Sequence, residues 1–285
     1  MSLRMLWARG AGLLLVAALA RQMSAQAPHQ LTKSTMPFDL VSEFEVVVQG
    51  QIGELDGLRF IVDTGSSFSV IDRRVAEKLG LVRHSRKVLN FDRNLAVDWV
   101  NVPELRIGPL RVASMGMILT RLADISEFAE NVDGIIGMDV LSRAQKLSID
   151  YERKRISIEF EEGRGSETST MNAFVVPVVI QGTSVHLVVD TGLQYVVLYQ
   201  DRLRDALPHL RIEGEPRSAA LGRLPVTQVN LPGVRIFGRE AVTPALLVAG
   251  SGKTSIGGLD GYLGPASLHA RRLELDFAAK VLRWE

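Results

Sequence analysis

The pattern of apolar and polar positions along the chain is mostly that of β-structure. Phe44–Gly50, Arg59–Val62, Phe68–Ile71, Val175–Ile180, Val185–Val189 and Tyr195–Tyr199 are short runs rich in Val, Ile and aromatic residues, bounded by Gly, Asp or Ser. Such runs predict strands. One helix is expected after Ile71: Asp72 can cap it, Val75 and Leu79 share a face at i, i+4, and Gly80 ends it. A second, Asp201–Leu207, stops before Pro208. Short helices are expected after Gly137 and Gly264.

The chain is written twice. FIVDTG at 60–65 recurs as LVVDTG at 187–192, and VDGIIG at 132–137 recurs as LDGYLG at 259–264, both at an offset of 127. Two motif pairs sharing one displacement indicate duplication. VVVQG at 46–50 echoes VVIQG at 178–182, and LSIDYERKRISIEF at 147–160 echoes LELDFAAKVLRWE at 273–285. The expected architecture is therefore two similar β-rich lobes, 42–162 and 173–285. The polar stretch EEGRGSETST at 161–170 separates them, and 163–172 is read as a linker.

The N-terminus follows a different pattern. Arg4 and Arg9 precede the apolar run Gly10–Ala20, and Ala25-Gln26-Ala27 supplies a small-x-small triplet. This reads as a secretory signal peptide over 1–27, followed by a polar leader over 28–41. At about 1.5 Å per residue the run is too short to cross a bilayer core of about 30 Å as a helix. An exported protein, periplasmic or secreted, is expected, with no stable membrane insertion after cleavage; an uncleaved N-terminal anchor is the alternative.

Composition narrows the chemistry. With 46% hydrophobic and 23% charged residues the chain is an ordinary globular one, not a disordered or collagen-like one. The 33 basic residues balance 32 acidic ones, so charge gives no argument for a nucleic-acid partner. The absence of cysteine excludes disulfides, thiolate nucleophiles and Cys-ligated metals. His29, His84, His186, His209 and His269 have no metal-ligand spacing, so neither metal nor cofactor is expected. GSGKT at 250–254 resembles a phosphate loop but has Leu247 where the pattern needs Gly.

The candidate chemistry lies in the two Asp-Thr-Gly turns. Asp63 and Asp190 each follow a run of β-formers, and Gly65 and Gly192 allow a sharp turn and close approach. A carboxylate on a rigid strand end of each lobe is what a pseudo-symmetric pair requires. Within about 3 Å two such groups cannot both ionise and share one proton. The charged member can then act as general base on a water, while the protonated one stabilises an oxyanion.

DTGSSFSVIDRRVAEKLGL at 63–81 and GIIGMDVLSRAQKLSIDYERKRISI at 134–158 resemble the proteases of retroviruses and LTR retrotransposons, the retropepsin-like aspartic proteases. The resemblance spans nearly all of 44–160 and, more faintly, 174–285. It implies a mainly β fold of two pseudo-symmetric aspartic-protease lobes with short helices, both in one chain as in pepsins, and hence a monomer. It further implies an aspartic endopeptidase acting on an extended polypeptide under a hairpin flap, with Asp63 and Asp190 as the catalytic pair. Thr64 and Thr191 would hydrogen-bond across the pseudo-twofold axis, and the Ser66 hydroxyl would donate to Asp63. Ile135-Ile136-Gly137 and Tyr262-Leu263-Gly264 would pack behind the two turns. The second copy departs from the pattern: Leu193 stands where the first has Ser66, and Pro265-Ala266 where it has Met138-Asp139. Unequal carboxylates follow, with Asp190 the more readily protonated. The flap regions, about 86–100 and 214–229, lack a Gly-rich tip, only Gly222 lying in the second. Trp99 is expected to pack or to touch substrate. A catalytically silent two-lobed peptide-binding or scaffold domain of the cell envelope is the alternative function.

Overall fold

The computed structural model describes residues 31–90, 93–124, 131–161, 173–209, 213–221, 224–236, 238–248 and 258–285. The signal peptide, the linker, Gly222 and the GSGKT segment lie outside the described residues.

Among the described residues the chain forms three sheets. The first lobe orders its strands Asp39–Val41, Glu45–Ile52, Leu55–Val62, Gly134–Ile136, Val70–Asp72, Leu110–Thr120, Arg93–Ile107 and His84–Asn90. The long strand Arg93–Ile107 returns to Glu45–Ile52 and curls this sheet towards a barrel. The second lobe runs Val175–Ile180, Thr183–Val189, Gly261–Leu263, Val196–Tyr199, Arg239–Val248, Leu224–Ile236 and Glu213–Leu221, with the same kind of closing pair between Val175–Ile180 and Leu224–Ile236.

Symmetry is kept where it matters for the Asp-Thr-Gly turns. Leu55–Val62 lies parallel to Gly134–Ile136 with Ile61 opposite Ile135, and Thr183–Val189 lies parallel to Gly261–Leu263 with Val188 opposite Tyr262. The apolar runs are continuous because these strands bury both faces. Phe60 and Val62 enter the large core, while Ile61 between them joins a small cluster with Val47, Val70, Leu122 and Val132. A matching small cluster in the second lobe gathers Val197, Tyr199, Val226, Leu246 and Val248.

The third sheet joins the lobes, in the order Leu31–Pro37, Arg155–Glu161, Lys146–Asp150, Arg272–Asp276, Val281–Trp284. At its centre Ser148 faces Glu274, flanked by the pairs Leu147–Leu275 and Ile149–Leu273. Leu147, Ile149, Leu273 and Leu275 are each 0% exposed, and the core they enter runs through both lobes. The lobes therefore share their packing. This sheet also corrects the reading of 28–41 as a leader: Leu31–Pro37 pairs along its whole length with Arg155–Glu161, and Asp39–Val41 belongs to the first lobe. Its polar residues misled because an edge strand buries one face only, alternating exposed and half-buried positions.

Arg73–Lys78 is helical as expected, Asp72 accepting from the Arg74 amide and Gly80 turning at φ +61°. Gln200–Ala206 is its counterpart without a side-chain cap. The segment after Gly137 is the helix Met138–Leu141, but after Gly264 only the 3₁₀ turn Pro265–Leu268 forms. In the first copy the Met138 amide donates to the Ser66 carbonyl at 2.8 Å. Pro265 has no N–H with which to repeat that bond.

Leu275→Ala is expected to destabilise the protein by about 2–5 kcal/mol, with both lobes losing structure in one urea transition because they share a core. Two separated transitions, followed by fluorescence and circular dichroism, would contradict the shared packing.

Candidate active site

Each turn begins where a core strand ends. The Asp63 amide donates to the Ile136 carbonyl and the Asp190 amide to the Leu263 carbonyl, each at 3.0 Å. Ile135-Ile136-Gly137 and Tyr262-Leu263-Gly264 thus lie beside the Asp-bearing strands in the sheet. Gly137 and Gly264 pack directly against the turns: a Cβ on Gly137 would come within 2.8 Å of the Ser66 carbonyl oxygen, and one on Gly264 would strike that of Leu193.

The two threonines tie the lobes together. The Thr64 amide donates to the Thr191 hydroxyl and the Thr191 amide to the Thr64 hydroxyl, both at 3.1 Å. Each hydroxyl then donates across to the other lobe, Thr64 to the Val189 carbonyl at 2.8 Å and Thr191 to the Val62 carbonyl at 2.6 Å. Both residues are buried, so each hydroxyl is satisfied as donor and acceptor with no water to compete.

This cross brings the carboxyls of Asp63 and Asp190 together, close enough for each to shift the other's ionisation. The packing is close enough that only glycine fits. A Cβ on Gly192 would lie 2.9 Å from the Asp63 carboxyl carbon, and one on Gly65 would fall on the Asp190 carboxyl itself. Burial raises both acids above the usual carboxylate range. Asp190 is raised further, because the charge on Asp63 adds to the burial. Asp63 is drawn back towards ionisation by its hydrogen bonds, accepting on Oδ1 from the amides of Gly65 at 2.8 Å and Ser66 at 2.9 Å. Asp190 Oδ1 accepts from the Gly192 amide at 2.8 Å, whereas the Leu193 amide donates to the Asp190 backbone carbonyl. The Ser66 hydroxyl takes no part in the asymmetry expected from Ser66 and Leu193. The Ser66 hydroxyl donates to the Phe68 carbonyl at 2.8 Å and leaves the carboxylate to its own amide. Two amides favour ionisation of each acid, those of Gly65 and Ser66 for Asp63 and those of Gly192 and Gly65 for Asp190, so neither the serine side chain nor the count of amides makes the difference.

Four further acids went unassigned in the sequence. Asp133 accepts from the Arg59 amide at 2.9 Å, and Asp260 from the His186 amide at 2.8 Å, so each Asp-Gly aspartate clamps the strand leading to the turn. Their recurrence at the same 127-residue offset was the available signal. Asp139 accepts from both the amide and the hydroxyl of Ser69, and Ser69 in turn accepts from the Gly137 amide. The second copy has Ala266 and Val196 at these places and lacks the device. Glu45 opens the strand Glu45–Ile52 at 5% exposure, and its Oε2 has no hydrogen-bond partner among the described residues. Burial, and secondarily the charge of Asp63, push its carboxyl up to about 7.

Both expected flap regions are hairpins, His84–Asn90 with Arg93–Ile107 and Glu213–Leu221 with Leu224–Ile236. Trp99 packs at the base of the first. It stands edge-on to Phe68 at 5.5 Å between ring centroids, under the Arg86 guanidinium at 4.7 Å, and against Gly116. At 8% exposure it is a packing residue that couples the hairpin to the active-site loop.

Residues 48–140 match the family model described as aspartyl protease. The match covers most of the first lobe, where the resemblance to aspartic proteases was read from the motifs. Among curated proteins, none is significantly similar to this chain in sequence. Similar solved structures include a retropepsin-like aspartic protease from Rickettsia conorii, 15% identical over 46% of this chain and 94% of that one, at a TM-score of 0.35. An aspartic proteinase from Irpex lacteus is 14% identical over 88% of this chain and 96% of its own, at a TM-score of 0.47. Basic 7S globulin from soybean is 11% identical over 90% and 96%, at 0.49.

Raised carboxyls make the folded chain hold more protons than the unfolded one, so they oppose stability as pH rises. For Glu45 the window runs from its ordinary 4.5 to about 7. Urea unfolding between pH 4.5 and 7 is therefore expected to show a smaller loss of stability with rising pH in Glu45→Gln than in the wild type. Parallel curves would contradict the burial assigned to this group.

Proposed function

We propose that this chain is an exported aspartic endopeptidase that hydrolyses peptide bonds with a water activated between Asp63 and Asp190. The aspartyl protease family match and the fold support a protease in general. The observation that carries the finer reading is the meeting of the two carboxyls, one from each lobe, each packed against the other turn's glycine.

The unequal environments assign the roles. Asp63, held by two amides, is the ionised member and takes a proton from the attacking water. Asp190, pushed further up, keeps its proton and donates it towards the carbonyl oxygen of the scissile bond as negative charge develops there. When the tetrahedral intermediate collapses, the leaving amine takes a proton and the carboxyls exchange roles. An extended polypeptide lying between the lobes, beneath the hairpins, suits a site built from strand ends. Both carboxyls come from one chain, so a monomer suffices. Export rests on the N-terminal Arg–apolar–Ala-x-Ala pattern.

The test is peptide cleavage by the purified protein across acidic and neutral pH. Asp63→Asn and Asp190→Asn are each expected to lower kcat/KM by at least about a hundredfold, with circular dichroism unchanged. Activity surviving either substitution would remove the mechanism. No cleavage together with tight peptide binding would mark a silent binding domain instead.

A further inference from the structure

The acid at the head of strand Glu45–Ile52 is not used by the mechanism above, yet it is buried beside it. The strand runs antiparallel to Leu55–Val62 with Val47 opposite Ile61 and Val48 opposite Phe60. Carried on by two residues, that register sets Glu45 abreast of Asp63. The side-chain alternation agrees: Val46 and Val48 enter the large core, Val47 and Ile61 share the small cluster on the opposite face, and Glu45 has the parity of Val47. A tight hairpin fixes the position. Glu45 pairs with Val41, the Phe44 amide donates to the Val41 carbonyl at 3.2 Å, and Ser42 and Glu43 both take positive φ, 52° and 68°. Two non-glycine residues in that region hold the chain in a two-residue turn of the kind hairpins favour.

A carboxyl in this place is costly. It is 5% exposed, one oxygen has no partner, and no arginine, lysine or histidine of the described residues pairs with it. Its charged neighbour is Asp63, of the same sign. A buried acid left unbonded beside another acid calls for an outside donor that carries positive charge.

We propose that Glu45 is a specificity-determining residue that receives the cationic side chain of a substrate lysine or arginine on the Asp63 side of the scissile bond. A cation there gives Oε2 its missing donor, neutralises the repulsion between Glu45 and Asp63, and favours the ionised form of the general base. Binding of a basic residue and readiness of the base are then coupled. The proposal rests on the dyad reading for its place in catalysis, so its test separates the two.

The protein bearing Asp190→Asn, and the same protein also bearing Glu45→Gln, are titrated by calorimetry with extended peptides. These carry lysine, or uncharged norleucine of similar length, at each position around the central bond in turn. At one position the lysine peptide is expected to bind at least about tenfold more tightly than its norleucine counterpart, and Glu45→Gln to erase that difference. In active protein the kcat/KM ratio of lysine to norleucine peptides is expected to fall by the same factor in Glu45→Gln. Equal or undetectable binding of both peptides at every position, or a preference unchanged by Glu45→Gln, overturns the proposal. Absence of cleavage by the wild type with the lysine preference intact in calorimetry would instead overturn the dyad mechanism and leave the basic-residue site standing.

Discussion

Two carboxyls packed this closely repel once both have lost their protons, so the fold must hold Asp63 and Asp190 together against their own charge. The crossed threonines do this from below. Four hydrogen bonds, from Thr64 and Thr191 to each other and to the last strand residues of the opposite lobe, leave the turns no freedom to separate. The glycines do it from the side, since each turn packs its Gly on the other turn's acid. The interlobe sheet anchors the arrangement from a distance, its central pair Ser148–Glu274 lying between equivalent leucine and isoleucine contacts. Contact and burial together turn two ordinary aspartates into a pair that keeps a proton well above the usual range.

Duplication supplies the symmetry, and departures from it supply direction. A perfectly symmetric pair would have no preferred base. Here the first turn offers Asp63 two amides and its loop is locked by Ser69, Asp139 and the Met138 amide. The second turn has lost each of those elements, to Leu193, Val196, Ala266 and Pro265. The second copy's active-site loop is tied by fewer bonds, and its acid is the one pushed further up. Glu45 adds a third carboxyl on the Asp63 side only, for which the second lobe has no counterpart, its own opening strand reading Val-Val-Pro-Val-Val-Ile.

Much of this was legible in the sequence because it depends on local periodicity and on repetition. The 127-residue offset located both turns, both supporting strands and the Asp133 and Asp260 clamps, even though the clamps' function needed coordinates. The helix Arg73–Lys78 was readable from its cap and its closing glycine. What escaped depends on long-range pairing. Nothing local distinguishes the half-polar edge strand Leu31–Pro37 from a leader, since its partner lies far along the chain. Ser66 was read by side-chain chemistry, yet its amide reaches Asp63 and its hydroxyl turns to Phe68. Glu45 looked like a lone acid ahead of an apolar run, and only the strand register reveals its neighbour.

The most direct test is a count of protons on the pair. Carbon-13 labelling of the aspartate carboxyls, followed by NMR titration with Asp63→Asn and Asp190→Asn for assignment, reads the ionisation of the two groups. The expected result is a coupled titration in which one carboxyl ionises first and its partner stays protonated to a much higher pH, the partner being Asp190. Two independent transitions, both near the ordinary aspartate value, would show that the carboxyls share no proton and would contradict the account at its centre.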